Sequence, residues 1–294
     1  MELLPLRYFQ VVARHEHISR AAEELRVAQP SVSRTIARLE EELGVRLFDR
    51  QGRGIALNRF GAAFLARVDR ALAELDEGRR ELADAAGLER GAVSVAAETA
   101  LTLRNLLLEF RSAHPEADVR LYQSTAGRMV DQLRRREVDF CLASQPLTGL
   151  PLESVELLDE EVLLVVPLDH PLAGRSRVAV AELAGEPFVT TRPGHWQRAL
   201  ADRLFAAAGV EPVIVCEGDE PAATADLISA GLGIGLVPAM ARQLADRTPF
   251  AWLHVDAPDC RRRLSLVWRT DAYLSRAAQR FRDLAVRHFR DQPW

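Results

Sequence analysis

Residues 19–59, SRAAEELRVAQPSVSRTIARLEEELGVRLFDRQGRGIALNR, read as two short helices around a tight turn, followed by a basic hairpin. Ile18 precedes Ser19, a residue type that caps helices by accepting from the free N–H groups of the first turn, and Ala21, Ala22 and Leu25 give a small apolar face. A turn over Arg26, Val27 and Ala28 leads into Gln29 and Pro30, with proline where its missing N–H leaves no bond unmade. Val32, Ile36, Leu39 and Leu43 then recur at helical spacing, so one face is buried and the helix ends before Gly44. The opposite face carries Gln29, Pro30, Ser31, Ser33, Arg34 and Arg38, with no carboxylate before Glu40. Glutamine pairs with adenine edges, arginine with guanine or phosphate, and serine with either, which is what a helix laid in the major groove of DNA requires.

Past that helix, Arg46, Arg50, Arg53 and Arg59 surround the turn Gln51-Gly52-Arg53-Gly54. A glycine-rich turn between Val45–Phe48 and Ile55–Leu57 predicts a two-stranded wing whose arginines reach phosphates or a minor groove. Alone, the same residues would equally suit a surface hairpin with solvated arginines. Joined to the two helices, they favour DNA.

Ala21-Ala22-Glu23-Glu24-Leu25, Gln29-Pro30-Ser31-Val32-Ser33-Arg34, Leu39-Glu40-Glu41-Glu42-Leu43-Gly44 and Leu47-Phe48-Asp49-Arg50 stand in the order and spacing of one family. On these motifs the segment resembles the N-terminal winged helix-turn-helix of the LysR-type transcriptional regulators. The resemblance implies double-stranded promoter DNA as partner, with Ser19, Gln29, Pro30, Ser31, Ser33, Arg34, Arg38, Arg50 and Arg53 as its contacts. It also implies a small-molecule effector, a homodimer that pairs into a homotetramer, and action on RNA polymerase. One departure stands out. Ala28 occupies the position where the family commonly places Ser or Thr, and loss of such a cap typically costs about 1 kcal/mol. The expected result is a less firmly positioned helix, with Ser31 supplying part of the missing contact.

The remainder of the chain differs in charge. Ten arginines against eight acids leave residues 1–60 at +2, while the whole chain of 294 residues carries -4, so the body is at -6. Such a division fits a nucleic-acid end and a separate module. There is no lysine, and every fixed side-chain cation is arginine. The N-terminus lacks a basic region followed by an apolar run, and no apolar stretch approaches the roughly 18 residues a membrane span needs. Cys141, Cys216 and Cys260 lie far apart without metal-ligand spacing, so a reduced, cytoplasmic chain is expected, with Cys141 and Cys216 buried in apolar strands. No nucleophile elbow, zinc-binding pair of histidines or phosphate-binding loop occurs, and no enzyme, cofactor or metal is expected. Gly231-Leu232-Gly233-Ile234-Gly235 has the wrong spacing for a dinucleotide loop and suits a tight helix-to-strand turn.

Asn58 is placed to cap a long helix from Arg59 to about Ala86. Leu65 and Leu72, interleaved with Val68, Leu75 and Leu82, form a seam at coiled-coil spacing, with Arg79 and Ala86 continuing it. A second copy of the chain is the expected partner for this seam, and packing on the chain's own body is the alternative. After Gly87, strand and helix patterns alternate: strands at 92–97, 118–123 and 138–143 with helices at 101–113 and 128–137, then a second such unit from 162 to 237. A final strand at 264–268 and helix at 274–289 return to the first unit. That rhythm predicts parallel sheets covered by helices.

The expected class is therefore α/β multidomain. Residues 1–58 form the winged helix-turn-helix and residues 59–90 the linker and dimerisation helix. Residues 91–294 form a two-lobed effector domain similar to periplasmic binding proteins, with lobe I at about 91–162 and 265–294 and lobe II at about 163–264. Ligands in such sheets bind beyond the carboxyl ends of strands. The rule selects Thr99, Ala100, Ser124, Thr125, Ser144, Thr191, Arg192, His195 and Asp219 as effector contacts. Hydroxyls and helix N-termini suit a carboxylate, with Arg192 or Arg128 as countercharge, whereas Glu98 and Asp219 suit a cationic or polyhydroxyl effector.

Overall fold

The structure is a computed structural model that describes residues 2–51, 54–86, 91–244 and 250–291. Two compact units divide the chain, Met1–Ala85 and Ala86–Trp294. In the first, helices α1 (Leu3–His15), α2 (Ile18–Leu25) and α3 (Gln29–Leu43) precede the hairpin β1 (Phe48–Gln51) and β2 (Gly54–Leu57), and α4 (Arg59–Ala85) follows. Phe9, Val12, Ala21, Val32, Ile36, Leu39 and Leu47 form its core, with Phe9 set edge-on to Phe48 at 5.6 Å. The hairpin is strapped to α3 because Glu40 Oε1 accepts from the Leu47 and Phe48 amides at 2.7 and 3.2 Å. Asn58 caps α4 as the sequence predicts, its Oδ1 accepting from the Phe60 and Gly61 amides at 2.9 Å each. Gly61 is required here, since a Cβ would stand 2.2 Å from the Leu47 carbonyl oxygen.

Two expectations about this unit change. His17 rather than Ser19 caps α2, its Nδ1 accepting from the Arg20 amide at 3.4 Å. The α4 seam is also not one continuous stripe. Leu65, Val68 and Leu72 pack into the unit's own core, because α1 lies alongside this half of α4 and Gln10 and Arg7 tie it to Asp69 and Asp76 at 2.7 and 2.6 Å. Only the distal pair is left in the open, with Leu75 46% and Leu82 73% exposed.

In the second unit, β3 (Ala92–Ala97), α5 (Arg104–Ala113), β4 (Asp118–Gln123), α6 (Ala126–Arg134) and β5 (Phe140–Ala143) alternate, and β3, β4 and β5 are parallel. The long strand β6 (Leu152–Pro167) comes next, then β7 (Arg177–Val178), β8 (Pro187–Thr191), α7 (Trp196–Ala208) and β9 (Val213–Gly218). The chain continues through α8 (Ala223–Ser229), β10 (Gly235–Pro238), α9 (Ala241–Leu244), β11 (Phe250–Val255), β12 (Arg261–Arg269) and α10 (Arg276–Asp291). The main sheet has the order β4-β3-β5-β12-β6-β11-β7, with β10 also on β6, while β8 and β9 pair separately in parallel.

The sheet is mixed rather than parallel. β6 runs antiparallel to β12, β10 and β11. Its first ten residues read as a charged stretch, Leu-Glu-Ser-Val-Glu-Leu-Leu-Asp-Glu-Glu, and the last three of its five acids, Asp159, Glu160 and Glu161, stand opposite Arg263, Arg262 and Arg261 on β12. Three consecutive positions are therefore met by opposite charge across the ladder instead of by apolar burial, which hides this part of the strand from a hydrophobic reading. The ladder slips by one residue at Leu264/Ser265. Around β6 and β12 lie two cores. One holds Phe110, Phe140, Leu158, Leu264, Leu266 and Phe281, and the other Val162, Leu164, Phe188, Leu200, Phe205 and Leu253. Gly231 and Gly233 turn α8 into β10, and a Cβ on Gly233 would meet the Pro187 carbonyl oxygen at 2.2 Å.

Candidate functional site

Gln29, Pro30, Ser33, Arg34 and Arg38 are exposed on α3 and Ser31 is half-buried, while Val32, Ile36 and Leu39 hold the other side of the helix in the core. The exposed face has no acid until the half-buried Glu40, whose carboxylate is already committed to the hairpin. Ala28 stands at the N-cap of α3 with no side-chain cap bond, so the first turn of this helix lacks one of its partners. Ser19, half-buried on α2, lines a shallow hollow with Ala28 and Gln29. Arg50 lies on β1; Arg53 lies outside the described residues.

In the second unit the ends of β3 and β5 meet at a buried carboxyl. Glu98 accepts from the Ser144 hydroxyl at 2.7 Å and from the Ser144 amide at 3.4 Å. Burial pushes the Glu98 carboxyl up to about 7, with the Ser144 hydroxyl and the Arg262 guanidinium pulling the other way. Deeper in, Arg262 pairs with Glu160 at 2.5 Å, both side chains 2% exposed, and the other Glu160 oxygen accepts from the Met240 amide at 2.6 Å. The Arg262 guanidinium also sits over the Trp196 ring at 5.2 Å from its centre. Such a pair is held because its polar valences are filled; alone, either charge would be costly to bury.

Between the two cores, Gln123 donates to Glu220 at 2.5 Å and Gln145 to the Gly194 carbonyl at 3.5 Å. These bonds join strand ends of one lobe to loops of the other. Beside them Thr191 Oγ1, His195 Nδ1, Trp196 Nε1 and Gln197 Oε1 are buried without a hydrogen-bond partner. All four fall within the seven residues 191–197. Burial also holds the His195 imidazole below its ordinary value, with Asp219 and Glu220 acting in the opposite sense. Next to this stretch a hollow of about 280 Å³ is walled by Thr99, Leu101, Trp196, Gln197, Met240 and Trp252.

The structure distributes the sequence-selected effector residues unequally. Thr99 lines the hollow, and Thr191 and His195 belong to the orphaned cluster. Ser144 is spent on Glu98, and the buried Ser124 hydroxyl donates to Gln132 at 2.7 Å. Thr125 begins α6 with no side-chain cap bond, and Ala100 is exposed. Arg192 and Asp219 are a departure from expectation: both are exposed and they pair with each other at 3.2 Å, so Arg192 is not an unengaged countercharge. Sequence reasoning missed Trp196, Gln197, Glu160, Met240, Trp252 and Arg262. The one local signal was Trp196, next to His195 in a loop already selected.

The cysteines also differ from expectation in one case. Cys141 and Cys260 are buried, and loss of water raises the Cys141 thiol far above its usual range and pushes Cys260 up to about 12. Cys216 is only half-buried: it shares the covered face of β9 with Ile214, but among the described residues β9 pairs with β8 alone and leaves its other edge open. No helix among the described residues is long and apolar enough to cross a membrane.

A winged helix-turn-helix unit followed by a two-lobed α/β unit is the architecture of a DNA-binding regulator that carries its own small-molecule sensor. Residues 3–62 match the model of the bacterial regulatory helix-turn-helix protein, lysR family, and residues 86–290 that of the LysR substrate binding domain. The chain belongs to the LysR family of transcriptional regulators, which are not enzymes. It is 35% identical over 292 residues to the uncharacterized HTH-type transcriptional regulator YybE of Bacillus subtilis (strain 168), covering 98% of this chain and 99% of that one. It is 32% identical to the transcriptional dual regulator GltC of the same organism, covering 98% of each chain. Among solved structures, CbnR, a LysR family transcriptional regulator, superposes with a TM-score of 0.70 at 24% identity, over 99% of this chain and 100% of that chain. Full-length CbnR complexed with its target DNA gives 0.68 at 24% identity, again over 99% and 100% of the two chains.

Proposed function

We propose that residues 1–58 read operator DNA, residues 59–90 link and dimerise, and residues 91–294 bind an effector between lobes divided near residues 162 and 265. Regulators of this family bind promoter DNA and small-molecule effectors. Gln29, Ser31, Ser33, Arg34 and Arg38 of α3 enter the major groove, Ser19 and Pro30 pack at its edge, and Arg50 and Arg53 of the wing meet phosphate. The effector meets Thr99, Thr191 and His195 in the cleft, and its arrival shifts the population of lobe arrangements toward one that changes the grip on DNA. The homodimer forms through the open end of the α4 seam at Leu75 and Leu82, two dimers make a tetramer, and the protein works in the cytoplasm. The observation that supports this reading most is the exposed face of α3 from Gln29 to Arg38, which carries two arginines and no acid, whereas the exposed faces of α5, α6, α7 and α10 mix both charge signs.

The test is selection of bound duplexes from a random pool by the full chain, followed by the Arg34→Ala variant. Arg34 lies on an exposed face and bonds only the Pro30 carbonyl of its own helix at 3.3 Å, so its removal leaves folding intact. Loss of its contact should weaken the selected duplex by about 1–3 kcal/mol and relax one position of the site. Unchanged affinity and preference would remove Arg34 from the interface.

A further inference from the structure

The hairpin of the first unit is gripped by two carboxylates that come from different places in the helical body. Phe48 of β1 and Leu57 of β2 face each other at its base. The Phe48 amide donates to Glu40 at 3.2 Å and the Leu57 amide donates to Glu16 at 2.8 Å. Facing residues of an antiparallel pair that do not bond each other turn their amides outward, so the two carboxylates hold opposite edges of the hairpin at one rung. Glu40 belongs to α3 and also accepts from the Leu47 amide at 2.7 Å. Asn58 adds a bond to the Arg46 carbonyl at 3.0 Å, again on the β1 side. The hold on the β2 edge is Glu16, which stands at the corner between α1 and α2.

The backbone of that corner gives the side chain its significance. Glu16 has φ 47° and ψ 29°, the left-handed region where a Cβ is crowded and where glycine is the ordinary residue at a helix end. The chain keeps a side chain at this strained position, and its carboxylate reaches a strand amide 41 positions away. Held along β1 alone, a two-stranded hairpin could roll about that edge, since so small a sheet has little rigidity of its own. A second hold on β2 removes that freedom. Two rungs further out Arg50 faces Ile55, so the tilt fixed at the base decides where Arg50 is carried.

Resting on the reading of the hairpin as a wing that meets phosphate, we propose that Glu16 is a positioning residue for DNA binding, an acid that strengthens the grip on a polyanion by locking the tilt of the wing. Charge alone acts in the opposite sense, because deleting an anion from the DNA-binding unit favours phosphate. The two effects therefore differ in sign.

Two substitutions separate them. Glu16→Gly removes the carboxylate and suits the left-handed backbone, so thermal unfolding should show a folded first unit. Glu16→Gln removes the charge and keeps an acceptor for the Leu57 amide. Affinity of the full chain for the selected duplex is measured by fluorescence anisotropy at a series of salt concentrations between roughly 50 and 200 mM. Glu16→Gly should bind about fivefold more weakly or worse, with the slope of log Kd against log salt reduced by about one, the counterpart of one lost phosphate contact. Glu16→Gln should bind at least as tightly as the unsubstituted chain and keep the full slope. Undiminished affinity or an unchanged slope in Glu16→Gly, a Gln variant as weak as the Gly one, or an unfolded Glu16→Gly chain would each overturn the proposal. A chain carrying Arg50→Ala and Arg53→Ala together reports on the wing itself. An unchanged slope in that chain refutes the wing reading and takes the role of Glu16 with it; a reduced slope there, beside an unaltered Glu16→Gly chain, refutes the role of Glu16 and leaves the wing reading standing.

Discussion

The outer face of α3 and the wall of the cleft both hold polar atoms that lack a protein partner, yet they hold them in opposite ways. Gln29, Ser33, Arg34 and Arg38 stand in water, where an unpaired group costs nothing. Thr191, His195, Trp196 and Gln197 are sealed from it, and each orphaned atom costs roughly 1–3 kcal/mol. On the proposed reading, the face of α3 gains by exchanging water and counterions for phosphates and base edges, and the cleft gains by burying the surface of its ligand. One mechanism should respond strongly to salt and the other hardly at all.

The largest test of that contrast is ionic strength. Between roughly 50 and 200 mM salt, affinity for the selected duplex should fall by on the order of 10³-fold if six or more phosphates are contacted, while affinity for an uncharged ligand stays nearly constant. Parallel salt slopes for DNA and ligand would erase the distinction. Next comes acidity. The exposed face of α3 offers arginine, glutamine and serine, whereas the second unit buries Glu98, whose carboxyl is raised by that burial from 4.5 to about 7. The folded chain therefore holds a proton that the unfolded chain has released, so this group's contribution is full below 4.5 and is lost as pH rises through 7. Glu98→Gln should flatten the stability profile across that window, a change on the order of 3 kcal/mol measured by denaturant unfolding at a series of pH values. An unaltered profile would show that Glu98 is not the titrating group. The smallest effect belongs to the reading face itself. Ala28→Ser should supply the missing cap of α3 and stabilise the first unit by about 1 kcal/mol, seen as a higher midpoint of its thermal unfolding, with DNA affinity rising slightly. A lower midpoint would mean that the Ala28 position tolerates no hydroxyl.

The same contrast explains what was legible in the sequence. α3, its cap and the hairpin are written in some forty consecutive residues, where periodicity and turn chemistry are local signals. Asn58 capping α4 belongs to the same kind. The cleft is assembled from 99–102, 191–197, 221–226, 237–241, 250–252 and 262, so strand ends could be picked out but their partners could not. Arg262 and Glu160 are separated by 102 positions, and neither is distinguishable by pattern from the solvated arginines and acids around it. The seam of α4 failed in its first half for a related reason: heptad spacing records that Leu65, Val68 and Leu72 are covered, and α1 rather than a second helix of the same kind covers them.

The slip in the ladder between β6 and β12 has a consequence for how the cleft can open. Nine residues of β12 are in register with β6, and the step from Leu264–Leu158 to Ser265–Glu156 leaves Leu157 as the odd residue. Two strands locked edge to edge cannot swivel about each other, but a ladder with one surplus residue is already bent and more strongly twisted at that point. The lobes are therefore joined by a leaf spring rather than a pivot. Its crease lies at Leu157, three residues from the Glu160 that holds Arg262, so the bend and the buried ion pair share one short stretch of β6.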